Sequence, residues 1–131
     1  MTSDLVALIL TGVLSMLLAF LPGTVRVARG EVAWGLGNRE APPPGDPPWL
    51  GRAQRAHQNL LENLPLFTML VLTLHLVERN DAMTAVASWV FFGARVAHAA
   101  VYMAGITIVR TLVFYVSIAA ELVIAFRLFG G

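Results

Sequence analysis

Four long apolar runs, each with ionisable residues at or inside its edges, leave this chain almost no soluble fold to adopt. The hydrocarbon layer of a bilayer is ~30 Å thick and a helix rises ~1.5 Å per residue, so about 20 apolar residues cross it. Only 13% of the residues are charged, against about a quarter in soluble domains. A soluble domain of 131 residues has too little interior to hide the rest; it would leave apolar patches far above the few hundred Å² that monomers tolerate. In lipid every backbone N–H and C=O must be satisfied within the segment, which selects helices. The expected fold is an all-α membrane protein, a four-transmembrane-helix bundle in one domain over residues 1–131. Its helices are placed at roughly 4–27, 49–77, 82–103 and 107–128.

The first run is expected to be a retained helix. Met1 to Asp4 carry no basic residue and Leu5 to Leu21 are too long for the core of a signal peptide. Ser3 or Asp4 is positioned to cap it, and Pro22-Gly23 to kink or end it. Residues 29–50 differ in kind: they hold Pro42, Pro43, Pro44, Pro47 and Pro48 among charged residues. Proline at that density excludes helix and sheet interior, so an irregular loop is expected, with Trp34 and Trp49 in the headgroup layer. Pro65 is expected to bend the second helix. Glu78 to Asp81 and the region of Gly105 read as tight turns.

The basic residues are all arginine. Arg26, Arg29, Arg39, Arg52, Arg55 and Arg110 fall on one side of the bundle, and Arg79 and Arg127 on the other. By the positive-inside rule the Pro-rich loop and the Gly105 turn face the cytoplasm, with both termini on the other side.

Charge inside the bilayer is the functional signal, because a charged side chain near its centre costs roughly 3 kcal/mol on insertion scales. On the second helix Arg52, Arg55, Asn59 and Glu62 recur at helical spacing and share a stripe. On the third helix Arg95, His98 and Tyr102 do the same; on the fourth, Arg110, Phe114, Ser117 and Glu121. Three such stripes weighted towards one end can enclose a polar cavity, where helical bundles place ligand sites. Arginine forks grip carboxylates and glutamate accepts from an ammonium group, so the set suits a small anionic ligand. The structural alternative is an ion pair, Arg55 or Arg95 with Glu62, that only fixes helix packing, with Arg52 an interfacial anchor. His57 reads as a surface residue, His75 as structural, and Glu121 as a buried acid open to pairing with an arginine of a neighbouring subunit.

Several chemistries are excluded or unsupported. The chain has no cysteine, hence no disulfide, thiolate metal site or cysteine nucleophile. Its three histidines are scattered and there is no HExxH, so zinc is not expected. A net charge of +1 gives no case for nucleic acid. No Ser-His-Asp arrangement or Gly-rich phosphate loop is present. Inverted repeats, broken helices and filter-like segments, the marks of transporters and channels, are absent.

The run from Arg55 through Ala56, His57, Gln58, Asn59, Leu60, Leu61, Glu62, Asn63 and Leu64 to Pro65 resembles the second-helix signature of the MAPEG family (membrane-associated proteins in eicosanoid and glutathione metabolism). Arg95 to Tyr102, then Gly105 and Arg110-Thr111, resemble that family's third helix and turn. The resemblance extends over nearly the whole chain and is strongest to compact bacterial members, which implies the bacterial inner membrane. It implies a four-helix protomer assembled as a homotrimer, with glutathione as co-substrate between subunits near the cytoplasmic side. Arg55, Asn59, Glu62, Arg95, His98 and Tyr102 fall on positions that bind or support it, and Arg26 or Arg29 of an adjacent subunit contributes as well. Arg110 falls on the catalytic position, where its charge holds the glutathione sulfur as thiolate. The implied activity is that of a glutathione-dependent transferase or peroxidase acting on lipophilic small molecules that enter from the membrane lipids. Two positions depart from the pattern: Gln58 stands where some members have arginine, and Phe114 where several have tyrosine. The alternative is a non-catalytic membrane protein whose polar network stabilises the trimer or binds a lipid headgroup.

Overall fold

The computed structural model describes residues 1–41 and 45–130. Pro42, Pro43 and Pro44 of the expected loop lie outside them. The chain is all-helical: α1 (Ser3–Ala28), α2 (Val32–Leu36), α3 (Pro48–Leu76), α4 (Ala82–Ala104) and α5 (Thr107–Gly130). Four of these, α1, α3, α4 and α5, are long and apolar enough to cross a membrane, and the protein is an integral membrane protein. α3 and α4 form the central pair. α1 packs against both, and α5 packs against both from the opposite side.

Local chemistry sets the helix ends. α3 opens with Pro47 at its N-cap and Pro48 at the first helical position, where a missing N–H costs nothing. α4 opens with a capping box: the Asp81 carboxylate accepts from the Thr84 backbone N–H while the Thr84 hydroxyl accepts from the Asp81 N–H. It closes at Gly105, which adopts a left-handed φ of 80° and so turns the chain into α5 without Cβ strain. Arg52 reaches this turn from α3 and donates to the Met103 carbonyl at 2.8 Å.

α1 continues through Pro22 to Ala28 and does not end there. Two expectations are corrected. Neither Ser3 nor Asp4 caps α1. Thr2 is the N-cap without a side-chain bond, and Asp4 lies inside the bundle, accepting from Asn80 at 3.1 Å and Ser88 at 3.0 Å. The segment 29–50 is not wholly irregular. Val32–Leu36 forms the short helix α2, because the prolines all follow it and Trp34 is held in place, its ring 4.6 Å beneath the Arg26 guanidinium.

Two apolar clusters define the interior. One, near the chain termini, joins Phe67, Leu70, Val71 and Leu74 of α3 to Ala87 and Phe91 of α4 and to Ala120, Ile124 and Leu128 of α5. Within it the Phe67 and Phe91 rings stack at 3.9 Å. The other, nearer the loop, joins Leu18, Ala56, Leu60 and Ala99. The apolar clusters fix the rotation of α3, and with it which polar residues face inward.

Candidate functional site

Buried polar residues gather where the first half of α3 meets the second half of α4 and the first half of α5. Arg95 is their centre, 2% exposed. One terminal nitrogen of its guanidinium donates to Asn59 Oδ1 at 2.7 Å; the other lies 3.4 Å from Ser117 Oγ. The Ser117 hydroxyl donates its own hydrogen bond to the Phe114 carbonyl at 2.7 Å. Glu121, one turn beyond Ser117, is also buried. Among the described residues its Oε1 and the Arg95 Nε are buried without a hydrogen-bond partner.

Outward from this centre lies a cleft of about 220 Å³ lined by Asn59, His98, Tyr102, Arg110, Thr111, Phe114 and Tyr115. His98 is buried, its ring edge-on to Tyr102 at 5.4 Å. Arg110 lies over the Tyr102 ring, its guanidinium carbon 4.6 Å from the centroid; the ring's negative face attracts it while leaving its N–H donors unspent. Among the described residues Arg110 donates no side-chain hydrogen bond and joins no ion pair, so its charge remains available to an anion. No group of three or more His, Asp or Glu side chains placed to hold a metal occurs among the described residues.

Of the residues singled out in the sequence, Asn59, His98, Tyr102 and Arg110 therefore converge on one cleft, with Arg95 behind it. Arg55 and Glu62 do not. Both are exposed on the protomer, and Glu62 accepts from Gln58, one turn earlier, at 3.3 Å. No ion pair joins Glu62 to Arg55 or Arg95 among the described residues. The physical reason is angular. With ~100° per residue, Arg52 and Asn59 occupy one edge of the α3 stripe and Arg55 and Glu62 the other, and only the first edge faces α4. Glu121 sits inside its own protomer and not on a surface open to a neighbour. Thr111 and Tyr115 complete the rim; Thr111 entered the sequence reading only within the Arg110-Thr111 pair, and Tyr115 lies four residues beyond it, on the same side of α5.

A larger cavity of about 680 Å³ lies across α3 from this cleft, between α1, α2 and α3. Arg26, Glu31, Trp34, Arg39 and His57 line it. His57 is half-buried, 3.3 Å from Ser15 Oγ, and is not the surface residue expected. Of the two arginines after the first helix, Arg26 is buried and bound to Asp46 at 2.5 Å. Arg29 is more open and shared between Asp46 at 3.3 Å and Glu31 at 3.4 Å. The Arg26 hydrogen bond, with the charges of Arg26 and Arg29 adding and burial opposing, holds the Asp46 carboxyl below the usual carboxylate range. At the other end of the bundle, Asp81 is held low first by the Thr84 backbone N–H and then by Arg127.

The MAPEG family model matches residues 5–130. A comparison with the curated proteins gives no match.

Proposed function

Because the chain belongs to the MAPEG family, we propose that it is a glutathione-dependent membrane transferase or peroxidase acting on lipophilic electrophiles. The observation that carries the reading is the uncommitted Arg110 guanidinium at the Tyr102 ring, 4.6 Å from its centroid, in a cleft shared with Asn59 and His98. A fixed cation beside a thiol favours the thiolate, the nucleophilic form. In conjugation the glutathione sulfur attacks an electrophilic carbon, an S–C bond forms and the leaving group departs with its electron pair. In peroxide reduction the sulfur attacks the terminal peroxide oxygen, the O–O bond breaks and the alcohol leaves; a second glutathione then attacks the sulfenic sulfur, the S–S bond forms and water leaves.

The protomer alone offers too little. Its cleft of about 220 Å³ falls below the ~300–1,000 Å³ typical of ligand sites. Arg55 and Glu62 stand exposed beside it, and a membrane-embedded carboxylate left against lipid costs roughly 3 kcal/mol. Both facts favour a homotrimer in which a neighbouring subunit covers this face and completes the site, with Arg26 or Arg29 the adjacent subunit's contribution. Arg distribution favours a cytoplasmic Pro-rich loop and Gly105 turn in a bacterial inner membrane. The rival reading, a network that only stabilises the trimer or binds a lipid headgroup, draws on Arg95, which is sealed inside the protomer.

The test is glutathione binding by the purified protein in detergent, with Arg110→Ala and Glu62→Ala for comparison. The wild type binds at millimolar glutathione and both variants bind more weakly; no binding by the wild type sinks the proposal. Turnover of a general electrophile separates enzyme from scaffold: an intact oligomer without turnover favours the rival.

A further inference from the structure

We infer that Arg95 is a positioning residue that fixes the Asn59 side-chain amide as a hydrogen-bond donor into the cleft, so that the ligand atom meeting Asn59 is an acceptor. The inference rests on the cleft being the glutathione site and adds what that site demands of its occupant at one point.

The polarity follows from the donor inventory. A guanidinium has N–H donors and no acceptor, so the Asn59 atom 2.7 Å from Arg95 is the amide oxygen. Turning the amide over would set an NH₂ group against the Arg95 N–H, donor against donor. Arg95 itself is not free to turn. It is buried, and its other terminal nitrogen faces Ser117 Oγ. The serine's proton is already given to the Phe114 carbonyl, so its lone pairs face the arginine. The chain of bonds runs one way, from Arg95 to both partners. Asn59 lines the cleft. Its amide nitrogen donates to no protein group among the described residues, and it is not one of the polar atoms sealed from solvent. Its two N–H groups are therefore offered to the occupant. A carboxylate, a peptide carbonyl or a thiolate satisfies them; an ammonium group does not.

Asn59→Asp tests this in a nearly isosteric way. The aspartate keeps, and charges, the bond to Arg95, but presents an oxygen to the cleft where the wild type presents N–H. The expected result is an unfolding midpoint at or above that of the wild type with glutathione binding at least tenfold weaker. A merely structural Asn59–Arg95 bond predicts unchanged binding, and a folded Asn59→Asp that binds glutathione as tightly as the wild type overturns the inference. Side-chain amide resonances of Asn59 in ¹⁵N-labelled wild-type protein give a second readout independent of any variant: they shift on adding glutathione, and unmoved resonances in the glutathione-bound protein overturn it. If the wild type binds no glutathione, the functional reading fails separately. Acetate, a bare carboxylate acceptor, then replaces it as probe, with a shift supporting the donor assignment and none at saturating acetate refuting it.

Discussion

Replacing Gly105 by alanine isolates one physical effect, because the turn it occupies is crowded but not closed. The glycine holds φ 80° and ψ 21° between α4 and α5. A Cβ built there meets the Arg52 guanidinium carbon at 3.5 Å, ordinary contact with the end of a flexible side chain. Steric overlap thus contributes little, and the cost is that of an L-residue in the left-handed region, roughly 1–2 kcal/mol. At about 1.4 kcal/mol per tenfold, Gly105→Ala should raise the unfolding equilibrium constant by roughly 5- to 30-fold. Asparagine visits the left-handed region more readily than other non-glycine residues, so Gly105→Asn should lose less than alanine. Valine, branched at Cβ, should lose more. The assay is reversible unfolding of the purified protein by SDS titration from mixed micelles, followed by circular dichroism. An alanine variant as stable as the wild type, or an asparagine variant no better than valine, would refute the reasoning and with it the left-handed turn that sets Arg110 opposite Tyr102.

Two further outcomes are expected. Phe67 and Phe91 are both 0% exposed and stacked, so Phe67→Ala should destabilise by about 3–5 kcal/mol in the same titration, and a loss below about 1 kcal/mol would mean the stack is not the core of the bundle. Asp46 titrates below the usual carboxylate range because Arg26 holds its charged form. Its contribution is therefore complete above about pH 4, the unfolded value, and is lost as pH falls through the lower folded value. Fluorescence of Trp34, isolated in a protein with Trp49 and Trp89 replaced by phenylalanine, should report α2 loosening from Arg26 below about pH 4; the change should vanish in Asp46→Asn, and a transition that survives this substitution would assign it to another group.

The fold was legible where its cause is one-dimensional. Hydropathy alone marks the four membrane helices, since lipid permits few other structures for an apolar run of that length. Gly105 is a local signal with a local cause; Asp81 was read only as the end of a turn, and its capping of α4 through Thr84 is a finding of the structure. Legibility failed where a neighbour decides. Asp4 reads as a helix cap but is drawn inward by Asn80 and Ser88, more than seventy residues away. The short α2 depends on Trp34 meeting Arg26, a contact that nothing in Val32–Leu36 announces.

The candidate site divides along the same line. A stripe of residues three and four apart on α3 spans roughly 80° of helix surface at ~100° per residue, wide enough to straddle the boundary between a packed face and an open one. Sequence spacing places Arg52, Arg55, Asn59 and Glu62 on that stripe but leaves its rotation free. The rotation is set by Leu60, Phe67, Val71 and Leu74 packing inward, and it turns Asn59 to Arg95 and leaves Glu62 outside. On α4 and α5 the ambiguity does not arise, because Arg95, His98, Ser117 and Glu121 fall near the middle of their buried faces. The split on α3 is itself informative. Glu62 follows the start of α3 by fourteen residues, or about 21 Å of helix, which puts it at the middle of the helix. A carboxylate so placed, bonded among the described residues only to Gln58, is stable in a membrane when another protein surface covers it, and under the homotrimer proposal that surface is the next subunit. Asn59 and Glu62 then serve the same cleft from two directions: one held in place from within the protomer by Arg95, the other completed only on assembly.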